Sequence, residues 1–203
     1  MTKKRFFLMS GALLLFAVIL YFVVSGDELA FDTVIREWVY SIRSDALTPV
    51  LKVITYMGNW QSITALCIIL LIIPKTRIRY GIPVSSGAAF VTVFNKILKS
   101  IVQRPRPDQS LHLIKQGGYS FASGHSITSM VVFGLLIWLV RKYVKDKKKA
   151  NIITVILAVP LVFIGLSRIY MGVHYPTDVL AGWCLGMAAL MIIISIEDKL
   201  SDK

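Results

Sequence analysis

The chain has 203 residues, of which 56% are hydrophobic and 17% are charged, and its mean hydropathy is +0.69. This composition excludes an ordinary soluble protein, in which about 25% of the residues are charged, and the length fits one domain that covers residues 1–203. The net charge of +12 would suggest a nucleic-acid partner for a soluble protein, but in a membrane protein it indicates cytoplasmic loops and anionic membrane lipids, and no nucleic acid.

Six apolar stretches predict an all-α bundle of six transmembrane helices, since one span takes about 20 mostly apolar residues. In chain order the stretches are Phe6–Ser25, Tyr56–Pro74, Gly81–Asn95, Ser126–Val140, Ile152–Leu166 and Val179–Ile196. The third continues through Val102 and reaches a polar cluster. The first has an alternative interpretation as a signal peptide, because Val24-Ser25-Gly26 is a passable cleavage site. Its apolar core exceeds the usual length of about 7–15 residues, so we predict that it is retained.

The basic residues indicate how the bundle crosses the membrane. If both termini are cytoplasmic, 14 of the 23 basic residues fall in cytoplasmic segments, with only four acidic residues beside them. These 14 are Lys3, Lys4, Arg5, Lys75, Arg77, Arg79, Arg141, Lys142, Lys145, Lys147, Lys148, Lys149, Lys199 and Lys203. A basic excess in short loops marks the cytoplasmic side, so we predict that both termini lie inside. Three polar clusters then share the outer face of the cell membrane.

Residues 27–45, between the first two spans, are predicted to form a short outer amphipathic helix. Its apolar positions recur at helical spacing and are Phe31, Val34, Ile35, Trp38, Val39 and Ile42. Its polar positions are Asp32, Arg36, Glu37 and Arg43. Such a helix suits the headgroup layer of a membrane, and the alternative is a helix that packs on the outer loops.

The first polar cluster follows the third span and is rich in cations. Lys99 lies near the outer end of that helix, and Arg104-Pro105-Arg106-Pro107 follows it. Proline cannot continue a helix and favours extended backbone before it, so both arginines are expected on a stiff loop beside Lys99. Arginine matches phosphate oxygens with a planar fork, and lysine adds a point charge. The alternative is a set of cations that snorkel at the membrane edge.

The second polar cluster, Ser123-Gly124-His125, opens the fourth span. Serine is a favourable N-cap, and glycine allows close approach to the backbone. The free N–H groups and the dipole of a helix N-terminus attract an anion, which would place His125 beside that anion. The alternative is an ordinary helix cap with an interfacial histidine.

The third polar cluster joins the fifth span to the sixth and contains Ser167-Arg168, His174 and Asp178. His174 and Asp178 are four residues apart where the sixth helix begins, so their side chains are expected to meet. A carboxylate that accepts the Nδ1 proton leaves Nε2 of the histidine free as a nucleophile or base. The alternative is a capping aspartate with a packed histidine.

A metal site is a weaker hypothesis for these residues. The side chains that could serve as ligands are His125, His174, Asp178 and Asp108. However, no His-x-x-x-His pair occurs, and the nearby cations would repel a metal ion. Cys67 and Cys184 fall inside apolar runs without metal-ligand spacing, and we predict free thiols. No metal or other cofactor is therefore expected.

These clusters resemble the three motifs of the type 2 phosphatidic acid phosphatase family, integral membrane lipid phosphatases related in fold to vanadium haloperoxidases. The first motif, lysine, six residues and Arg-Pro, is matched by Lys99 and Arg106-Pro107. The second, Pro-Ser-Gly-His, is matched by Ala122-Ser123-Gly124-His125, with alanine where proline is usual. The third is matched in full by Ser167-Arg168, His174 and Asp178. Alanine at position 122 is expected to loosen the phosphate loop, but it removes no reacting group.

The resemblance implies a haloperoxidase-like helical core and a metal-independent phosphatase. His174 would be the nucleophile that forms a phosphohistidine, Asp178 would orient it, and His125 would protonate the leaving oxygen. The residues that would hold the phosphoryl oxygens are Lys99, Arg106, Ser123, Gly124 and Arg168.

Within this family, the size and span count are most similar to the bacterial phosphatidylglycerophosphatases, so the expected reaction converts phosphatidylglycerol phosphate to phosphatidylglycerol. The motifs contact only phosphate, which leaves phosphatidate and undecaprenyl pyrophosphate as alternative substrates. A transporter is disfavoured because the six apolar stretches contain no charged residue. A non-enzymatic lipid-binding protein is disfavoured because the reacting residues of all three motifs are present.

Overall fold

The computed structural model of the protein describes residues 1–26 and 29–201. Residues 27 and 28 of the predicted outer segment, and the last two residues, therefore lie outside the described residues. Within this range the helices are α1 Lys3–Val24, α2 Ala30–Ser41, α3 Leu47–Met57, α4 Trp60–Ile72, α5 Pro74–Thr76, a π-helical turn Arg77–Gly81, α6 Ile82–Val102, a 3₁₀ turn Gln109–Leu111, α7 Gly124–Tyr143, α8 Lys147–Tyr170 and α9 Pro176–Ser201. The predicted all-α fold class is confirmed, and no β-strand occurs in the described range.

Five helical segments of the described chain are long and apolar enough to cross a membrane, namely α1, 74–102, α7, α8 and α9. Helices α3 and α4 meet at a bend of 52° and are together long and apolar enough to form a sixth span. Six spans are therefore confirmed, but the prediction of an unbroken second span over Tyr56–Pro74 is wrong. The span begins at Leu47 and breaks at Gly58 and Asn59. The mean hydropathy of the whole stretch is high, and it conceals the polarity and flexibility of these two residues.

Helix α7 is the centre of the bundle and packs against α6, α8 and α9. Val131, Leu135 and Leu139 of α7 are buried in its core. At one end of the bundle α7 and α9 approach so closely that a methyl group on Gly182 would lie 2.8 Å from the carbonyl oxygen of Ser123. Glycine at position 182 therefore brings the second and third polar clusters into contact.

Helix α2 confirms the predicted amphipathic helix in residues 29–45, and it contacts α8 and α9. Phe31, Val34 and Trp38 remain exposed, as expected for a helix with one apolar face toward lipid. Its position in the headgroup layer stays a prediction. The assignment of Asp32 to the polar outer face is wrong, because this carboxylate is fully buried against the start of α9.

Candidate active site

The three polar clusters converge at one end of the bundle, where the α6–α7 loop, the start of α7 and the α8–α9 loop meet. Gln103 ends α6 with a left-handed backbone, φ 50°, and the following prolines prevent the helix from continuing. Lys99 lies in the last turn, and its Nζ donates to the carbonyl oxygens of Tyr119 and Ser120. The loop that follows α6 therefore folds back over the lysine.

Arg106 lies against the third cluster, as predicted. Its Nη1 donates to the carbonyl oxygen of Val173 at 2.7 Å and lies 3.1 Å from Nε2 of His174. Its Nε donates to the carbonyl oxygen of Gly118 at 2.9 Å. Because arginine only donates, Nε2 of His174 must be the acceptor, and the proton of the neutral imidazole is on Nδ1.

His174 and Asp178 meet as their spacing predicts. The Nδ1 atom of His174 lies 3.2 Å from Oδ2 of Asp178, which also accepts the backbone N–H of Tyr175 at 3.0 Å. Burial lowers the pKa of His174 well below its usual value, and the positive charges of Arg106 and Arg168 lower that pKa further. At neutral pH the imidazole is therefore uncharged, with its lone pair on Nε2, the state that a nucleophile requires.

Arg104 pairs with two carboxylates, so this geometry does not support its expected use as a phosphate fork. Its Nη1 donates to Oδ1 of Asp178 at 2.7 Å, and its Nη2 donates to Oδ2 of Asp32 at 2.8 Å. Two buried carboxylates attract the guanidinium away from the open side of His174. The motif assignment, which uses Arg106 and leaves out Arg104, agrees with this geometry.

Ser123 caps α7, as predicted, and its Oγ accepts the hydroxyl proton of Ser126 at 2.9 Å and the N–H of the same residue at 3.4 Å. A methyl group on Gly124 would lie 2.8 Å from Nδ2 of Asn95, so a larger residue here would displace the Asn95 side chain. His125 follows in the first turn of α7. As a helix N-terminus, this end of α7 attracts an anion through its backbone N–H groups and its dipole.

The break in the second span provides a contact to His125 that the sequence analysis missed. Oδ1 of Asn59 lies 2.9 Å from Nε2 of His125. A methyl group on Gly58 would lie 2.8 Å from the imidazole, so glycine is what permits this approach. The Gly58-Asn59 pair inside an apolar stretch was the available signal, because both residues interrupt helices more often than they extend them.

Arg168 lies within α8 and not in the loop between spans, which corrects the predicted boundary of the fifth span. The helix continues to Tyr170 because the guanidinium finds polar partners inside the protein. Its Nη1 donates to Oγ1 of Thr55 at 3.0 Å, and its Nη2 donates to Oε1 of Gln116. Its Nε has no hydrogen-bond partner among the described residues, although the side chain is 1% exposed.

The cations near His174 are the main electrostatic feature of the site. Within residues 1–26 and 29–201, no carboxylate forms an ion pair with Lys99, Arg106 or Arg168. Burial lowers the pKa of Arg106 to about 10, which leaves it charged at neutral pH. Because none of the three has a carboxylate partner in the described range, together they create a site where an anion would supply the missing negative charge.

A cavity of 810 Å³ leads from this site down between α4 and α6. Gln116 and His125 line its upper end, and Leu71 and Ser85 line its lower end. From Asn59 to Leu71 the chain rises about 18 Å at the helical rate of about 1.5 Å per residue. The cavity therefore extends well into the apolar part of the bundle.

The hypothetical metal set is not assembled. Asp108 is exposed and accepts the N–H of Ser110 at 2.8 Å, which caps the 3₁₀ turn. Within the described part of the chain, no three His, Cys, Asp or Glu side chains are grouped as metal ligands. Cys67 and Cys184 are free, as predicted.

Comparison with known proteins gives a consistent result. Residues 80–202 match the family model described as the PAP2 superfamily. The chain is 29% identical over 200 residues to phosphatidylglycerophosphatase B of Bacillus subtilis, covering 93% of this chain and 95% of that protein. It is 32% identical over 143 residues to an undecaprenyl-diphosphatase of Sulfolobus acidocaldarius, covering 68% of this chain and 63% of that protein.

The fold is likewise similar to solved structures. The crystal structure of a transmembrane PAP2-type phosphatidylglycerolphosphate phosphatase from Bacillus subtilis superposes with a TM-score of 0.82 at 27% identity and covers 98% of both chains. The crystal structure of LpxE from Aquifex aeolicus superposes with a TM-score of 0.70 at 24% identity, over 84% of this chain and 98% of that one. The second likeness concerns the fold alone.

Proposed function

The chain belongs to the PAP2 superfamily of membrane phosphatases, and on that premise we propose that it converts phosphatidylglycerol phosphate to phosphatidylglycerol through a phosphohistidine intermediate. The observation that carries the proposal is the group of Lys99, Arg106 and Arg168 beside the neutral His174, because none of these three cations forms an ion pair with a carboxylate of the described residues. A phosphate monoester supplies the missing negative charge and presents phosphorus to Nε2. Phosphatidylglycerophosphatase B of Bacillus subtilis, which covers nearly the whole chain, supports the choice of substrate.

The first chemical step transfers the phosphoryl group to His174. Nε2 attacks phosphorus as the hydrogen bond from Arg106 moves from that nitrogen to a phosphoryl oxygen. Asp178 stabilises the positive charge that develops on the imidazole. His125 protonates the lipid oxygen as its bond to phosphorus breaks, and the donors of Lys99, Arg106, Arg168 and the start of α7 stabilise the transition state.

The second step releases phosphate. His125, which gave its proton to the lipid oxygen, now accepts a proton from water as the water oxygen attacks phosphorus and the bond to Nε2 breaks. Phosphatidylglycerol has left before this step. Both histidines regain their starting protonation states when inorganic phosphate departs.

The cavity between α4 and α6 is suited to the hydrocarbon part of the substrate. It begins beside His125, where the leaving oxygen must be protonated, and continues among Ile63, Cys67 and Ala88. Because these walls are mostly apolar, the transfer of a lipid chain from water into the cavity is favourable. The same cavity suits a polyprenyl chain, and the similarity to an undecaprenyl-diphosphatase keeps undecaprenyl pyrophosphate as the second candidate substrate.

A substrate panel tests the proposal. Purified protein in detergent is given phosphatidylglycerol phosphate, phosphatidate and undecaprenyl pyrophosphate, each with and without EDTA, and phosphate release is measured. We expect the largest kcat/KM for phosphatidylglycerol phosphate and no loss in EDTA, because cations of the protein neutralise the phosphate. A preference for the pyrophosphate would replace the proposed substrate, and loss in EDTA that a divalent metal restores would contradict the metal-free mechanism.

We further propose that both termini are cytoplasmic and that the site faces outward. Gly117, in the loop between α6 and α7, has no heavy atom within 4 Å of a potential Cβ, so cysteine is expected to be tolerated there. Lys147 is exposed at the start of α8 and serves as the labelling position for the cytoplasmic side. In a Cys67→Ala, Cys184→Ala background, an impermeant maleimide added to intact cells is expected to label Gly117→Cys but not Lys147→Cys. Permeabilised cells provide the control, because both positions should then react. Labelling of position 147 alone in intact cells would reverse the orientation.

A further inference from the structure

The carboxylate of Asp32 lies outside the three motifs, on α2, and precedes the residues matched by the family model. Its side chain is 0% exposed. Its Oδ1 accepts the backbone N–H of Thr177 at 2.8 Å, and its Oδ2 accepts the hydroxyl of the same residue at 2.6 Å. A buried carboxylate is costly unless strong donors compensate it, so this position is closely specified by its surroundings.

Arg104 extends these contacts to the reacting histidine. It donates Nη2–H to Asp32 at 2.8 Å and Nη1–H to Oδ1 of Asp178 at 2.7 Å. Its guanidinium also lies over the ring of Tyr175, 3.9 Å from the ring centre. Because Arg104 occupies Oδ1 of Asp178, Oδ2 is left to accept the Nδ1 proton of His174. The planar guanidinium thus fixes which way the aspartate faces.

We propose that Asp32 is a positioning residue for the phosphatase reaction, which it assists by holding Arg104 and Thr177 so that Asp178 keeps its orientation toward His174. This inference rests on the proposed function, since it concerns the same reaction. Asp32 is connected through Arg104 and Asp178 to Nδ1 of His174, whereas Nε2 on the other side of the ring is the nitrogen proposed to attack phosphorus. Its loss should therefore lower kcat and leave KM nearly unchanged.

Asp32→Asn is the most direct variant. The amide oxygen still accepts one proton, but the new NH₂ group faces the donors of Arg104 and Thr177, and donors do not pair with donors. We expect kcat to fall about 10- to 100-fold, the range seen when outer partners of metal ligands are removed. Because the nucleophile itself is affected, the loss should be similar for a lipid phosphate and for para-nitrophenyl phosphate.

The matched control is Glu37→Gln on the same helix. Glu37 is exposed, and its replacement makes the same change of charge without touching Arg104 or α9. This variant should keep wild-type kcat and KM. Thr177→Val is the milder second variant, which removes the hydroxyl that Asp32 accepts but leaves the charges in place, and it should lower kcat in the same direction if Asp32→Asn does not fold.

A double-mutant cycle separates positioning from general stability. If Asp32 acts through Asp178, then Asp32→Asn in an Asp178→Asn background should lower kcat by less than about 3-fold. Unchanged kcat in Asp32→Asn, a loss confined to KM, or the same fold-loss in both backgrounds would overturn the proposal. The wild type is assayed in parallel, and an inactive wild type would contradict the proposed function and this inference together, whereas an active wild type isolates the role of Asp32.

Discussion

Replacing His174 with alanine is expected to lower kcat by about 10⁴-fold or more on every phosphate substrate, because this side chain provides the attacking nitrogen. Its Nε2 carries the lone pair of the neutral imidazole, and its Nδ1 is held by Asp178. Asp178→Asn should retain more activity than His174→Ala, since the histidine remains but its tautomer and its positive charge are poorly supported. Turnover of a lipid phosphate and of para-nitrophenyl phosphate by purified variants measures both effects.

His112→Ala is the matched control for this experiment. His112 lies in the loop between α6 and α7, whereas His174 lies in the loop between α8 and α9, and Nε2 of His112 is 3.0 Å from the carbonyl oxygen of Pro107. It should keep near wild-type activity, while the amount and thermal stability of all variants report on folding. A folded His174→Ala protein with near wild-type turnover would show that another group is the nucleophile.

His125→Ala is expected to show a loss that depends on the leaving group. A lipid monoester expels an alkoxide, which needs a proton as the bond to phosphorus breaks, and a general acid contributes about 10²–10⁴-fold. Nitrophenolate departs without a proton, so the loss on para-nitrophenyl phosphate should be less than about 10-fold. The position of His125 at the top of the cavity, beside the start of α7, suits this role.

The comparison of the two histidines makes the assignment of roles testable. An equal loss on both substrates for His125→Ala would mean that this residue mainly binds phosphate. Leaving-group dependence in His174→Ala in place of His125→Ala would exchange the two roles. Both variants are measured at saturating substrate, so that a change of KM is not mistaken for a change of chemistry.

The spacing within each motif was sufficient to predict much of the site. His174 and Asp178 are one helical turn apart, so their contact follows from local geometry. Ser123 precedes a glycine and an apolar stretch, and it caps α7 as such a residue commonly does. The prediction that the three clusters lie on one side of the membrane followed from counting spans. The first cluster follows the third span, the second opens the fourth, and the third joins the fifth to the sixth, so all three lie at the same end of the bundle.

The residues that the sequence analysis missed reach the site from distant elements. Asp32 has the spacing of a surface residue on an amphipathic helix, and only the docking of α2 on α9 buries it. Asn59 lies in an apolar stretch and contacts His125 because the span bends there. Arg104 and Arg106 are chemically alike and two residues apart, and the location of the carboxylates in three dimensions decides which one pairs with Asp178 and which one lies against Nε2 of His174.

The central claim is that the phosphoryl group passes through His174, and rapid-quench labelling tests it most directly. Protein is mixed with a lipid carrying ³²P in its terminal phosphate, quenched within milliseconds, and digested for peptide mapping. We predict an acid-labile, alkali-stable label on the peptide that contains His174, and no label in His174→Ala. A label on another residue, or single-turnover hydrolysis without any labelled protein, would contradict the account.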